Sequence, residues 1–396
     1  MNVLLATAFE YPHLGGLSTH MTLLAKGLRA QGHDVRIRSF SDLSRVQRAA
    51  TRGPAWLLNR VQRGWGTWWT TAMRIRFLVR LLRAESAWLD VLNVEDPMAA
   101  VAAQRAGLRY VYTVHGYATD EHVAAGRIRR DSWVHRWHLE LERRALGGAQ
   151  HVVAVDSRIR RHVEQLAGHR RVTVIPNFVD GDWPRRAPDR TAARATLGLA
   201  DDAFVVLCPR RLTPKNGVVY ALEAMDLVRN GEVEWPADRR PLLVVVGTGE
   251  QWPAVQAFVR QRGLAPFCRL EGGRPHEAMA VYLRAADAVV IPSIHAAGVE
   301  EATSISALEA MVFGVPVVAS AVGGLKEIIR DGETGLLVPQ KRPDALARAL
   351  ARLAAEPSLA RRLAEAARAY VLAHHSHLAA AARFLHIYGQ ATAQVG

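Results

Sequence analysis

The chain has 396 residues, 49% apolar and 22% charged, with a formal net charge of +14 from 51 basic and 37 acidic residues. That length is enough for two domains, and the composition excludes a disordered, collagenous or disulfide-stapled chain. No run of 18 apolar residues exists to cross a bilayer. The opening Met1-Asn2-Val3-Leu4 has no basic stretch before it, so a secretory leader is not expected. Cys208 and Cys268 are the only cysteines. Both sit among apolar neighbours, which fits a reducing cytoplasm and argues against structural zinc.

Alternating patterns begin at once. Val3 to Ala6 is a short apolar strand, a turn-rich loop follows from Glu10 to Gly16, and a helix runs to about Arg29. Val35 to Ser39 is the second strand of this βαβ unit, the start of a parallel sheet. Further strands are expected at 91–94, 110–114, 152–155 and 172–175, with a helix over about 131–147 and another from Ser157. Residues 181–202, with Pro184, Pro188 and many charges, have the composition of a linker between a first domain (1–180) and a second (203–370). The alternation then restarts: strands at 204–208, 242–246, 268–271, 288–291 and 315–319, helices at 217–229, 252–262, 276–285 and 304–313. Residues 343–394 are almost wholly helical. The fold class is therefore α/β, with two doubly wound domains, and ligands of such domains bind beyond the carboxyl ends of the strands.

The charge is uneven. Residues 1–180 carry 26 basic and 15 acidic residues, whereas 181–396 carry 25 and 22. Residues 43–84 hold nine Arg and no acid, interleaved with Trp56, Trp65, Trp68 and Trp69. Helical spacing from Met73 to Arg83 puts Ile75, Leu78, Val79 and Leu82 on one face and Arg76, Arg80 and Arg83 opposite. Two readings follow: an interfacial helix resting on anionic lipid, or a surface helix packed on its own domain with a solvated Arg face. The basic run has no helix-turn-helix, zinc-finger or RNP pattern, so nucleic acid is not an expected partner.

Three loops after strands carry chemistry. His13-Leu14-Gly15-Gly16-Leu17-Ser18 lies between strand and helix, where paired glycines let backbone N–H groups approach an anion. It fits neither the dinucleotide fingerprint nor the P-loop. Arg210-Arg211-Leu212-Thr213-Pro214-Lys215-Asn216-Gly217 sets three cations before a helix, an arrangement suited to a diphosphate. In Glu300-Glu301-Ala302-Thr303-Ser304-Ile305-Ser306-Ala307-Leu308-Glu309, Thr303 or Ser304 can cap a helix whose first N–H groups face a phosphate. Glu301 precedes the cap, and Glu309 lies one to two turns in, near enough to take paired sugar hydroxyls.

That last segment, followed by Gly314-Val315-Pro316 and Gly323-Gly324-Leu325-Lys326-Glu327, closely resembles the E-x7-E region of retaining GT-B glycosyltransferases, family GT4. The likeness covers most of the chain: residues 10–20, Thr113-Val114-His115-Gly116, Val174 to Asp180, Arg211 to Gly217 and Val246-Gly247-Thr248-Gly249 each match a family loop in order. It implies a GT-B fold with two Rossmann-like domains facing a cleft, and a last helix, 371–396, crossing back to the first domain. It also implies a nucleotide diphosphate sugar as donor, without a metal or other cofactor.

Carried over by position, Glu309 takes the ribose hydroxyls and Glu301 contacts the transferred sugar. Arg211 and Lys215 neutralise the departing diphosphate, with Gly15, Gly16, Thr303, Ser304 and Ile305 completing its cradle. His115 touches the donor sugar, Arg274 lies near the base, and Asn177, Asn216 and Gly247 line the donor site. Two departures stand out. The usual R-L-x-P-x-K-G turn places Lys where this chain has Asn216, and the usual G-F-G after the first Glu is Ala302-Thr303-Ser304 here. Asp180-Gly181-Asp182 spells the D-x-D of metal-dependent glycosyltransferases but begins the expected linker, so metal binding is not expected there.

The implied activity is transfer of a hexose-type sugar to an acceptor hydroxyl, with the acceptor, glycan or lipid-linked, on the first domain. On that reading the protein is cytoplasmic and can rest on the inner membrane face through residues 43–84. Alternatives within the fold are a sugar-nucleotide 2-epimerase or a phosphorylase, and, from another class, a non-catalytic anion- or membrane-binding protein.

Overall fold

A computed structural model describes residues 1–13, 16–169, 171–295 and 303–393. Gly15 and Glu301, two of the expected site residues, lie outside that set. The chain forms two compact units, Met1–Pro176 with His377–Gly396, and Asn177–Ser376.

The first unit holds strands β1 (Asn2–Ala6), β2 (Asp34–Arg38), β3 (Val91–Val94), β4 (Val111–Val114), β5 (His151–Ala154) and β6 (Val172–Val174). They form one sheet in the order β2-β1-β3-β4-β5-β6, every pairing parallel. Val3 stands level with Val35 on one side and Val91 on the other. Runs such as Val3-Leu4-Leu5-Ala6 are apolar throughout because helices cover both faces of a parallel sheet, and all four are fully buried. The helix Gly16–Ala30 packs against the last helix, His377–Ala393. Gly27 permits that contact: a Cβ there would stand 2.3 Å from the His377 carbonyl oxygen.

The basic stretch forms two helices, Arg45–Val61 and Trp65–Glu85, packed on each other. On the second, Ile75, Leu78 and Leu82 are buried in the core while Arg76, Arg80 and Arg83 face solvent. Burying each such side chain is worth about 1.5–3 kcal/mol, and the apolar face is consumed by the unit's own core. The interfacial reading of residues 73–83 is thereby corrected. Three of the four tryptophans also turn inward. Trp65 and Trp68 make edge contacts with Trp133, and Trp69 donates to the Ala50 carbonyl at 3.1 Å.

The second unit holds β7 (Ala203–Pro209), β8 (Arg240–Val246), β9 (Cys268–Gly272), β10 (Ala288–Ile291), β11 (Val317–Ser320) and β12 (Leu336–Val338), in the order β12-β11-β10-β7-β8-β9 and again all parallel. Residues 181–202 are part of this unit rather than a free linker. They form helices Trp183–Arg186 and Arg190–Thr196, and Trp183, Leu197 and Leu199 pack on the core beside β7 and β10. Arg194 clamps the segment, donating to the carbonyls of Ala200, Ala203 and Ala285 and pairing with Asp287. The boundaries thus fall at Pro176 and Ser376, a few residues from the expected 180 and 370. Ser376 closes the second unit by bridging to Val179.

Candidate functional site

In the first unit the carboxyl ends of β1, β3 and β4 open on a cavity of about 520 Å³, lined by Phe9, Gly16, Glu95, His115, Glu121 and Arg127 among others. His115 follows β4. Its Nε2 lies 2.7 Å from Oε2 of Glu95, whose other oxygen takes the Asn93 amide at 2.6 Å. The Glu95 side chain is fully buried, and burial pushes its carboxyl up, opposed by the His115 hydrogen bond. A carboxylate accepting from Nε2–H fixes the tautomer of His115 and leaves Nδ1 as its second functional atom. His20 stands edge-on to His115 and is held neutral by burial, with His115 adding to the effect.

His20, Glu95 and His115 bring three ligand-type atoms within 4.8 Å of one another. A divalent ion there would have to replace the proton His115 shares with Glu95. The Asp96 carboxylate anchors the loop on the same rim, taking hydrogen bonds from Thr7 Oγ1 and the N–H groups of Ala8, Met98 and Ala99.

In the second unit the turn after β7 is tied to the start of the helix Ile305–Val312. The buried Arg210 donates through Nη2 to Asn216 Oδ1 (2.6 Å) and Ser293 Oγ (2.9 Å), and through Nη1 to Ser304 Oγ (3.3 Å). Ser304 is the cap of that helix and accepts from the Ala307 N–H. A fixed cation is thus held against a helix N-terminus, where the macrodipole already favours anions. The hydroxyls of Thr213 and Thr303 are buried without a hydrogen-bond partner among the described residues. Orphaned buried hydroxyls cost about 1–3 kcal/mol unless something fills them.

Arg211 projects to solvent from the same turn, and its guanidinium makes no hydrogen bond or ion pair among the described residues. Glycine is required twice here. Gly217 has φ +61° and a Cβ would stand 2.0 Å from the Pro292 carbonyl; one on Gly247 would stand 2.0 Å from that of Arg210.

Glu309 is 7% exposed, and its Oε1 lies 2.6 Å from His276 Nε2. His276 stacks on Trp183 with ring centroids 4.5 Å apart, and the Glu309 hydrogen bond raises its pKa against the opposing effect of burial.

The expected residues fall into two groups. Gly16 and His115 line one cavity in the first unit. Arg211, Lys215, Asn216, Thr303, Ser304, Ile305 and Glu309 lie on the two linked elements of the second. Asn216 takes the place where Lys was expected, and the charge beside it comes from Arg210, which the sequence counted among three cations suited to a diphosphate but did not single out as a site residue. Arg274 is paired with Glu271 at 2.8 Å. Gly247 lies under the Arg210 carbonyl, and the Asn177 carbonyl accepts from His375 at 3.4 Å. Asp180, of the D-x-D, accepts the Asp182 N–H at 3.0 Å and pairs with Arg186. Glu95 and His276 went unnoticed in the sequence, since nothing local links them to partners 20 and 33 residues away.

The family pattern described as glycosyltransferase family 4 matches residues 14–183, and that described as glycosyl transferases group 1 matches residues 189–370. A D-inositol 3-phosphate glycosyltransferase of Frankia alni is 30% identical over 377 residues, covering 89% of each chain. One from Thermomonospora curvata is 31% identical, covering 89% of this chain and 85% of its own. Among solved structures, sucrose-phosphate synthase of Thermosynechococcus elongatus superposes with TM-score 0.71 at 23% identity over 99% of both chains. Anabaena HepE in complex with UDP gives 0.71 at 18%, covering 98% of this chain and all of its own. The chain belongs to the group 1 glycosyltransferases of family 4, with their two-domain Rossmann-like GT-B fold.

Proposed function

We propose that the protein moves a hexose from a nucleoside diphosphate sugar to an acceptor hydroxyl with retention of anomeric configuration and without a metal. The observation that carries this is the Arg210–Ser304 bond, which holds a buried guanidinium at the N-terminus of the helix Ile305–Val312 beside two unpartnered hydroxyls. The hard step is departure of the diphosphate from an anomeric carbon that becomes cationic. Arg210, Arg211, Lys215 and the first amides of the helix supply positive charge where that negative charge develops. Glu309 takes the ribose hydroxyls and Glu301 the transferred sugar. The bond from C1 to the β-phosphate oxygen breaks, the acceptor oxygen bonds C1 on the same face, and its proton passes to the departing phosphate. His115, oriented by Glu95, contacts the donor sugar.

One solved neighbour supports the donor class, since HepE is described in complex with UDP-glucose; curated relatives are named D-inositol 3-phosphate glycosyltransferases, which supports glycosyl transfer. The acceptor, glycan or lipid-linked, is assigned to the first unit's cavity. Contact with an anionic membrane is assigned to the helix Arg45–Val61, not to residues 73–83. Val46, Trp56, Leu57 and Val61 are 77%, 62%, 59% and 68% exposed there, with Arg45, Arg48, Arg52 and Arg60 alongside.

A transfer assay with UDP-, GDP- and ADP-glucose tests the proposal. Activity surviving EDTA and Asp182→Ala but lost in Arg211→Ala is the expected pattern. Loss with EDTA and in Asp182→Ala overturns the metal-free assignment.

A further inference from the structure

Three side chains at the carboxyl ends of the first unit's sheet converge although they are distant in sequence. His20 lies on the helix Gly16–Ala30, Glu95 follows β3 and His115 follows β4. Glu95 Oε2 stands 2.7 Å from His115 Nε2 and 3.8 Å from His20 Nε2. All three ligand-type atoms lie within 4.8 Å of one another. Ligand atoms on a tetrahedral zinc ion stand about 3.3 Å apart, given metal–nitrogen and metal–oxygen lengths of roughly 2.0–2.2 Å. The two measured separations bracket that value.

The set is also held in place. His20 is 5% exposed and Glu95 2%. The His20 ring stands edge-on to His115 at 4.6 Å and to Phe384 of the last helix at 5.9 Å. Glu95 Oε1 takes the Asn93 amide at 2.6 Å, the kind of outer hydrogen bond that orients a metal-ligating carboxylate. Another buried group, Tyr388, is near enough for the charge of Glu95 to act on it. Its hydroxyl is fully buried and has no hydrogen-bond partner among the described residues. Such an orphan is costly, and a water ligand on an ion beside Glu95 would supply its partner.

Glu95 and His115 line the larger cavity, so a fourth position on the ion would open to it. Two imidazoles and one carboxylate with an open position are a zinc-type donor set. Nitrogen donors disfavour magnesium and calcium, which take oxygen.

We propose that His20, Glu95 and His115 form a zinc site, and that zinc held there switches off the transfer the protein performs without it. The ion takes the lone pair of His115 Nε2, so the proton on that atom moves to Nδ1. Nδ1 then changes from hydrogen-bond acceptor to donor, and the ring is tied to the metal. His115 is thereby lost to the donor sugar. The inhibition rests on the reading that His115 contacts that sugar, whereas the zinc site itself does not.

The test uses the full-length protein, stripped with EDTA and dialysed, and zinc chloride as the probe. Calorimetry is expected to show one zinc bound per chain with a Kd below about 10 μM, and no comparable binding of magnesium chloride. His20→Asn, Glu95→Gln and His115→Gln should each weaken zinc tenfold or more. His115 is half-buried at the cavity edge, so its replacement should fold even where a buried variant does not. Zinc at ten times its Kd should lower the wild-type transfer rate about tenfold, by simple occupancy, and EDTA should restore it. His20→Asn should need at least tenfold more zinc for the same loss, measured against its own zinc-free rate. Weaker wild-type binding than stated, or binding that survives all three variants, overturns the site. Zinc that binds as described and leaves the rate unchanged overturns the inhibition. Absence of transfer with every donor would remove the inhibition together with the proposed function, while zinc bound as described would still establish the site.

Discussion

His276 and Glu309 share a short hydrogen bond, Nε2 to Oε1 at 2.6 Å, in which the imidazole sits on the carboxylate assigned to ribose. Because Glu309, with Glu277 adding a smaller effect, raises the pKa of His276 above 6.5, the ion pair is complete below that value. It is lost as pH rises through the raised pKa. A ribose diol must compete with protonated His276 for Glu309. UDP affinity should therefore strengthen from about pH 6 to pH 8 in the wild type and respond less in His276→Gln. Identical pH profiles for the two would show that the imidazole does not guard the carboxylate.

Arg210 is expected to matter as much as Arg211. Its removal deletes a buried cation and strips Ser304, Asn216 and Ser293 of their shared donor. Arg210→Ala should lower kcat by about 10²–10³, the size seen when one preorganised charge-stabilising donor is lost, with a smaller change in donor KM. Arg210→Lys should recover part of it. A kcat within a few-fold of wild type in Arg210→Ala would mean that the buried guanidinium is only scaffolding.

Glu95 acts through His115, so Glu95→Ala is expected to reduce kcat by about 10², the cost of misplacing a reacting group by roughly an ångström, while leaving UDP affinity alone. Glu95→Gln keeps the shape and should fall between. Steady-state kinetics beside UDP calorimetry separates this positioning role from a collapse of the fold, which would damage both.

The two basic helices should behave differently. On Trp65–Glu85, Leu78→Ala is expected to cost about 2–5 kcal/mol of stability by denaturant unfolding, whereas Arg76→Glu should change it by less than about 0.5 kcal/mol. On Arg45–Val61, replacing Val46, Trp56, Leu57 and Val61 by Ser should leave stability nearly unchanged. The same change should reduce sedimentation with anionic liposomes. Liposome binding that persists without those four, or is absent from the wild type, removes the assignment of a membrane face to this helix.

What the sequence revealed and what it hid follow from range. Strands such as Val205-Val206-Leu207 and Val289-Val290-Ile291 are legible because a parallel strand buried on both faces must be apolar throughout. The capped helix that carries Glu309 is legible because Ser304 and the apolar spacing after it are local signals. Residues 181–202 misled because Pro and charge look like a linker, while the clamp that folds them, Arg194 on Asp287, spans 93 residues. The face of residues 73–83 was read correctly as amphipathic, but nothing local says whether lipid or protein covers such a face. Arg210 was hidden for a similar reason: three cations in one turn look alike until Asn216, Ser293 and Ser304 select one of them.

The most direct test of the central claim is calorimetric titration of the wild type, Arg211→Ala and Glu309→Ala with UDP, GDP and ADP. One of the three diphosphates should bind the wild type, with affinity reduced tenfold or more in each variant, because charge and ribose contacts are both removed from one ligand. Wild-type affinity retained in both variants, or no binding of any nucleotide, would contradict the account.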